Sequence, residues 1–180
     1  MNPTAARRTA LGLPVESPGL AFGVTLAMLA LFVATGSRDL SHYDSAELSL
    51  VAAQGGLGHP VGQPLHTALG YLVALMGGGA WAFNLLSAVP AALCAVPALS
   101  LADHWAGPGA PGRGLRALVV VAGLSHVVFW EPATRVEVYA LATLPALWTL
   151  ARWAALDARP EAPPARALLV AGVALGLSAS

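Results

Sequence analysis

Residues 37–66 read SRDLSHYDSAELSLVAAQGGLGHPVGQPLH and gather carboxylates and imidazoles into one short stretch. Asp44 is followed by Ser45, an acceptable helix N-cap, and Glu47 comes three residues after Asp44. If a helix opens at Ser45, then Ala46, Leu48, Val51 and Ala52 form an apolar side able to lie on a membrane. Asp44 and Glu47 then point to one neighbourhood near the positive end of that helix. Two carboxylates beside an apolar surface can act as general base or cation ligand, because partial desolvation raises carboxylate basicity. The plainer alternative is that Asp44 only caps the helix and Glu47 is solvated. His59 precedes Pro60, which biases it to extended backbone. Gly62 and Pro64 then make a tight turn that aims the imidazole back at the loop, and His66 can face the same place. Asp44, Glu47, His59 and His66 have no recognised zinc spacing, so no metal ligand is assigned.

A second polar group sits in WEPATRVEVYAL, residues 130–141. Arg135 is of the type that binds phosphate bidentately, and ionisable groups at membrane depth are functional candidates. Glu131, Glu137 and Tyr139 flank it. A salt bridge from Arg135 to Glu131 or Glu137 is the competing reading.

The elements that must position these groups follow from composition. The chain has 180 residues, 57% hydrophobic and 10% charged, with a formal net charge of zero. So few ions cannot cover a soluble globular surface, for which roughly 25% is ordinary. A disordered tail and a basic nucleic-acid-binding face are excluded on the same ground. Cys94 is the single cysteine, so the chain builds no internal disulfide framework. A bilayer core needs about 20 mostly apolar helical residues. Spans are expected at about 18–36, 80–102, 115–132 and 137–156, with a last one from 167 cut off at 180. Arg116 and Arg152 are expected to snorkel to the headgroups. The piece from Pro64 to Met76 is short and is expected to lie in the interface. That parity places Arg7, Arg8, Arg113, Arg116, Arg152, Arg159 and Arg166 inside, leaving Arg38 and Arg135 outside, as the positive-inside rule requires. The outer face then receives the loop at 37–79 and the turn at Glu131–Glu137.

Four motifs in order carry a resemblance: Asp44-Ser45-Ala46-Glu47-Leu48, His59-Pro60-Val61-Gly62-Gln63-Pro64-Leu65, Asn84-Leu85-Leu86-Ser87-Ala88 and Glu137-Val138-Tyr139-Ala140-Leu141. The chain resembles the protein O-mannosyltransferase-like membrane proteins of the GT-C glycosyltransferase superfamily, in a branch whose bacterial members are mostly known as a domain of unknown function. Val61 departs from the family's second proline. The resemblance implies an all-α polytopic membrane protein, a GT-C-like helical bundle with interfacial helices in the first outer loop. It also implies a bacterial inner-membrane location with a cytoplasmic N-terminus and an extracytoplasmic active loop. Family members run on through more spans, so the chain is expected to be an N-terminal piece.

The implied activity is transfer of a sugar from a polyprenyl-phosphate donor, itself a substrate rather than a cofactor, to an acceptor hydroxyl. Asp44 matches the family's acidic catalytic position, and Glu47 joins it as a catalytic candidate. His59, Arg135, Glu137 and Tyr139 are the substrate-binding candidates; Arg135 enters on its chemistry rather than from a motif. Expected partners are membrane lipid, the lipid-linked sugar and an unidentified acceptor, with no nucleic acid. The residues alone also fit a non-catalytic lipid-binding or transport-associated membrane module, or an inactive fragment.

Overall fold

The computed structural model describes residues 7–9, 12–39, 41, 44–59, 63–107, 109–157, 169–170, 172–173 and 176. The chain is an all-α, membrane-type protein. Apart from an antiparallel pair of two-residue strands, β1 (Arg7–Arg8) and β2 (Pro14–Val15), the regular elements among the described residues are helices.

Helix α1 (Pro18–Thr35) starts where Ser17 Oγ accepts a hydrogen bond from Leu20 N and Pro18 fills the first turn. Ala21, Val24, Met28 and Phe32 recur at helical spacing and are buried, whereas Phe22, Leu26 and Leu31 are exposed. An apolar helix buried on one stripe only is at home with lipid on its other sides. The loop at 37–79 carries α2 (Ser45–Gln54) and α3 (Pro64–Leu75). At about 1.5 Å per residue α3 is roughly 18 Å long, well short of a bilayer core of about 30 Å.

Helices α4 (Ala80–Leu93) and α5 (Ala95–His104) are joined by Cys94, which keeps right-handed helical backbone, so together they form a single apolar run of 25 residues. This is the central element, and its Ala88, Ala91, Ala92, Cys94 and Ala95 are buried against α1 and its neighbours. Small side chains let helices approach closely where no water drives them together.

The expected continuous span at 115–132 is broken. Helices α6 (Arg113–Leu124) and α7 (Val127–Ala133) meet at 66°. His126 is extended, and its Nδ1 accepts from Val128 N, so the imidazole starts a new helix where the old one ends. Helix α8 (Tyr139–Asp157) packs along α4 and α5. Among the described residues two helices, α1 and the α4–α5 run, are long and apolar enough to cross a membrane, or three if the bent pair counts as one span. Helix α8 is as long but carries Arg152 and is not among them. Most of the expected last segment, 167–180, lies outside the described residues.

The two ends of the bundle are tied differently. At the end holding the start of α1, Glu16 Oε2 accepts from Arg113 Nε (2.6 Å) and Arg116 Nη2 (2.8 Å). Asp103 Oδ2 accepts from Glu16 N (2.8 Å), and Oδ1 lies 3.3 Å from Arg116. The Arg113 guanidinium, with Arg116 beside it, holds the Glu16 carboxyl below the usual range. Arg116 therefore turns inward, 11% exposed, onto Glu16 and Asp103. Arg152 likewise donates to Gly12 O and lies over the Trp148 ring. An inward turn satisfies carboxylates that would otherwise be stranded beside the core.

Candidate functional site

The opposite end is assembled from four segments. Ser37 N donates to Thr134 O (2.8 Å), and Asn84 Nδ2 donates to Ser37 O. Ser45 Oγ donates to Val136 O (2.8 Å). Ser87 Oγ donates to Glu137 O (2.8 Å) and accepts from Glu137 N (2.9 Å). The α1 exit, the α2 start, the first turns of α4 and the α7–α8 turn are thus stitched together through buried serines and an asparagine.

Helix α2 opens at Ser45, as the sequence suggests, but Ser45 is its first residue and its hydroxyl serves Val136. Asp44 takes the cap position without any side-chain bond to the helix, and its side chain is 54% exposed. Its carboxylate is therefore not committed to capping. Leu48 and Ala52 face protein, packing with Phe83 and Val136, which corrects the expectation that this stripe rests on the membrane. Those apolar partners come from α4 and the α7–α8 turn, which the serine ties bring over α2.

Gly55 ends α2 in the left-handed region at φ 63°, with its N–H bonded to Ala52 O and that of Gly56 to Val51 O. A glycine there turns the chain back without strain. The return brings His59 alongside α2. His59 N donates to Glu47 Oε1 (2.8 Å), Nδ1 lies 3.2 Å from the same oxygen, and Nε2 lies 3.9 Å from Asp44 Oδ2. The backbone N–H of His59, then its ring, hold the Glu47 carboxyl below its ordinary range. The turn expected at Gly62 and Pro64 involves Pro60 to Gly62, which lie outside the described residues.

Arg135 makes both of the salt bridges open to it in the sequence, Nη1 to Glu131 Oε1 at 2.6 Å and Nε to Glu137 Oε1 at 3.1 Å. Glu137 precedes α8 and its side chain is 4% exposed. Burial pushes its carboxyl up, Arg135 pulls it back, and the charges of Asp44 and Glu131 push it up again. Asp44 and Glu137, from separate motifs, therefore share one electrostatic neighbourhood. Tyr139 lines a hollow of about 420 Å³ between α7 and α8, together with Val128, Phe129 and Pro132.

Two polar residues of this end have roles that no motif assigns. Asn84 and Ser87 act as ties, a long-range role that no local pattern encodes. His66, on the first turn of α3, is 2% exposed with neither ring nitrogen hydrogen-bonded, and burial holds its pKa down. Among the described residues no three His, Cys, Asp or Glu side chains converge on a metal-binding arrangement. A largely apolar groove of about 630 Å³ runs beside the site, lined by Val73 and Met76 of the α3 end, Leu86 and Val89 of α4, and Leu141 and Leu144 of α8.

No curated protein and no solved structure matches the chain. The family model described as the protein O-mannosyl-transferase TMEM260 N-terminal domain matches residues 44–180. That match opens on Asp44 and takes in α2, His59, the Asn84 and Ser87 ties and Glu137, so the chain belongs to the TMEM260 N-terminal domain family of protein O-mannosyl-transferases.

Proposed function

We propose that the chain supplies the base-bearing outer site of a membrane glycosyltransferase, which moves a mannosyl group from a polyprenyl-phosphate donor to an acceptor hydroxyl. The observation that carries this reading is the Asp44 carboxylate, exposed and free of capping duty at the mouth of an apolar bundle. Asp44 removes the hydroxyl proton as the acceptor oxygen attacks the anomeric carbon. The lipid phosphate is already a good leaving group, so strong acid catalysis is not needed. Arg135 is the cation that steadies its charge. Its bond to Glu131 joins an exposed carboxylate and is exchangeable for phosphate, while the buried Glu137 keeps the guanidinium aimed. The apolar groove beside α4 suits the prenyl chain. On this reading the 37–79 loop faces the extracytoplasmic side of a bacterial inner membrane, and Tyr139 and its hollow serve the acceptor.

The test is transfer of labelled mannose from polyprenyl-phosphate mannose to a Ser/Thr peptide by the full chain in liposomes. Loss of turnover in Asp44→Asn is expected. Undiminished transfer in that variant removes the proposed base, and proton flux with no sugar transfer moves the protein to the transport class.

A further inference from the structure

The sharpest geometry at this end is the arrangement of His59 between two carboxylates. Nδ1 lies 3.2 Å from Glu47 Oε1, and Nε2 lies 3.9 Å from Asp44 Oδ2. An ionised carboxylate only accepts hydrogen bonds. Glu47 already accepts from His59 N, a bond that favours its ionised form. Nδ1 must then carry the proton that fills the second contact. In a neutral ring this leaves Nε2 as a bare lone pair facing Asp44.

A lone pair and a carboxylate oxygen repel, and 3.9 Å is beyond hydrogen-bond range. The same two atoms attract once either holds a proton.

Resting on the reading of Asp44 as base, we infer that His59 is a positioning residue that takes over the proton Asp44 collects, with Glu47 fixing its tautomer. The balance is complete. The acceptor O–H bond breaks, and its electron pair forms the new bond to the anomeric carbon. The bond from that carbon to the phosphate oxygen breaks, and its electrons leave with the lipid phosphate. The proton goes to Asp44 Oδ2, then to His59 Nε2. The resulting imidazolium is held by Glu47 and discharges to water through its open face, since the side chain is 40% exposed. Transfer off Asp44 restores the base for the next cycle. Oriented imidazole with a carboxylate behind it is the arrangement that sets tautomer and stabilises imidazolium in hydrolytic triads.

Among the described residues the other charged and titratable groups of this end are Arg38 and Asp39 from the α1 exit, Glu131, Arg135 and Glu137 from the α7–α8 turn, Tyr139 from α8, and His66 and Tyr71 from α3. Of these, Glu137 feels the Asp44 charge, which pushes its carboxyl up. Arg135 faces it and limits that effect.

Two measurements on the full chain test the inference. The first is ring-nitrogen NMR of histidine-labelled protein at about pH 8, where an ordinary imidazole is neutral. His59 is expected with hydrogen on Nδ1, and Glu47→Gln is expected to return it to a mixture. Hydrogen on Nε2, or indifference to Glu47→Gln, overturns the inference and needs no enzymatic activity to be seen. The second is mannose transfer by His59→Ala, expected to fall at least about tenfold and to recover when free imidazole is added, a rescue that a purely structural role does not give. Wild-type turnover in His59→Ala, or a loss that imidazole leaves unchanged, overturns the relay while Asp44→Asn still reports on the base. A fully active Asp44→Asn removes the base itself, and the relay with it.

Discussion

Ser87 grips residue 137 by both of its main-chain groups, donating to Glu137 O at 2.8 Å and accepting from Glu137 N at 2.9 Å. One hydroxyl on α4 thereby fixes where the Arg135–Glu137 pair stands relative to the α2 site. Ser87→Ala leaves a buried N–H with no acceptor, a loss of about 1–3 kcal/mol. Ser45→Ala strands one acceptor, Val136 O, where Ser87→Ala strands an acceptor as well as a donor, so its cost lies at the low end, about 1 kcal/mol. Thermal unfolding of the two variants in detergent checks the ranking: a larger drop for Ser45→Ala contradicts the account.

The Glu47–His59 link predicts an acid-sensitive loop. Glu47 has its carboxyl held below the ordinary value of 4.5 in the folded chain. A depressed carboxylate contributes stability that is present above its unfolded pKa and is lost as pH falls through the folded one. The window therefore lies below pH 4.5. Protection of the His59 amide from hydrogen exchange is expected to hold at neutral pH and to fade as acid enters that window. In Glu47→Gln the protection is expected to be weaker at neutrality and flat with pH. A wild-type amide whose protection is equally flat refutes the link.

Much of this architecture is written in local sequence, and the remainder is not for identifiable reasons. The charge-free stretch after Ser17 reads directly as α1, and the brevity of Pro64–Met76 reads as a helix too short to cross. The proximity of Asp44, Glu47 and His59 is also legible, because they lie on one helix turn and the loop that returns to it. The break at Ser125–His126 is hidden, since both flanks are apolar and hydropathy does not register a side chain that starts a new helix. The inward turn of Arg116 depends on Glu16 and Asp103, far away along the chain. So does the burial of Leu48 and Ala52, whose partners arrive only when Ser45 and Ser87 tie α2 and α4 to the same turn.

At the other end of the bundle, two arginines on Glu16 are expected to differ sharply. Arg116 is buried between Glu16 and Asp103; Arg116→Ala leaves the buried Asp103 without its cation while Glu16 keeps Arg113, and is expected to cost about 3 kcal/mol, the low end for a broken buried pair. Arg113 is 56% exposed, and an exposed pair contributes about 1 kcal/mol or less. Limited proteolysis of the segment before α1 reads the outcome, with rapid cleavage in Arg116→Ala and near-normal resistance in Arg113→Ala. Equal behaviour of the two variants removes the case for a buried network there.

The positions of Asp44 and Glu47 depend on how closely α2 and α3 approach, and Gly70 sets that distance. A Cβ placed at Gly70 lies 2.4 Å from Ala52 Cβ, so one helix must move. Overpacking of this kind costs about 1–3 kcal/mol. Gly70→Ala is therefore expected to destabilise the chain and to lower mannose transfer, although no polar group has changed. The Leu86 side chain, 3.5 Å from the same point, closes off the sideways escape. Adding Ala52→Gly removes the clashing methyl, and the double variant is expected to regain most of the lost melting temperature. Recovery stays incomplete, because a glycine inside α2 costs about 0.5–1 kcal/mol of its own. If the double variant is no better than Gly70→Ala alone, the close approach of these two helices is not what sets the site.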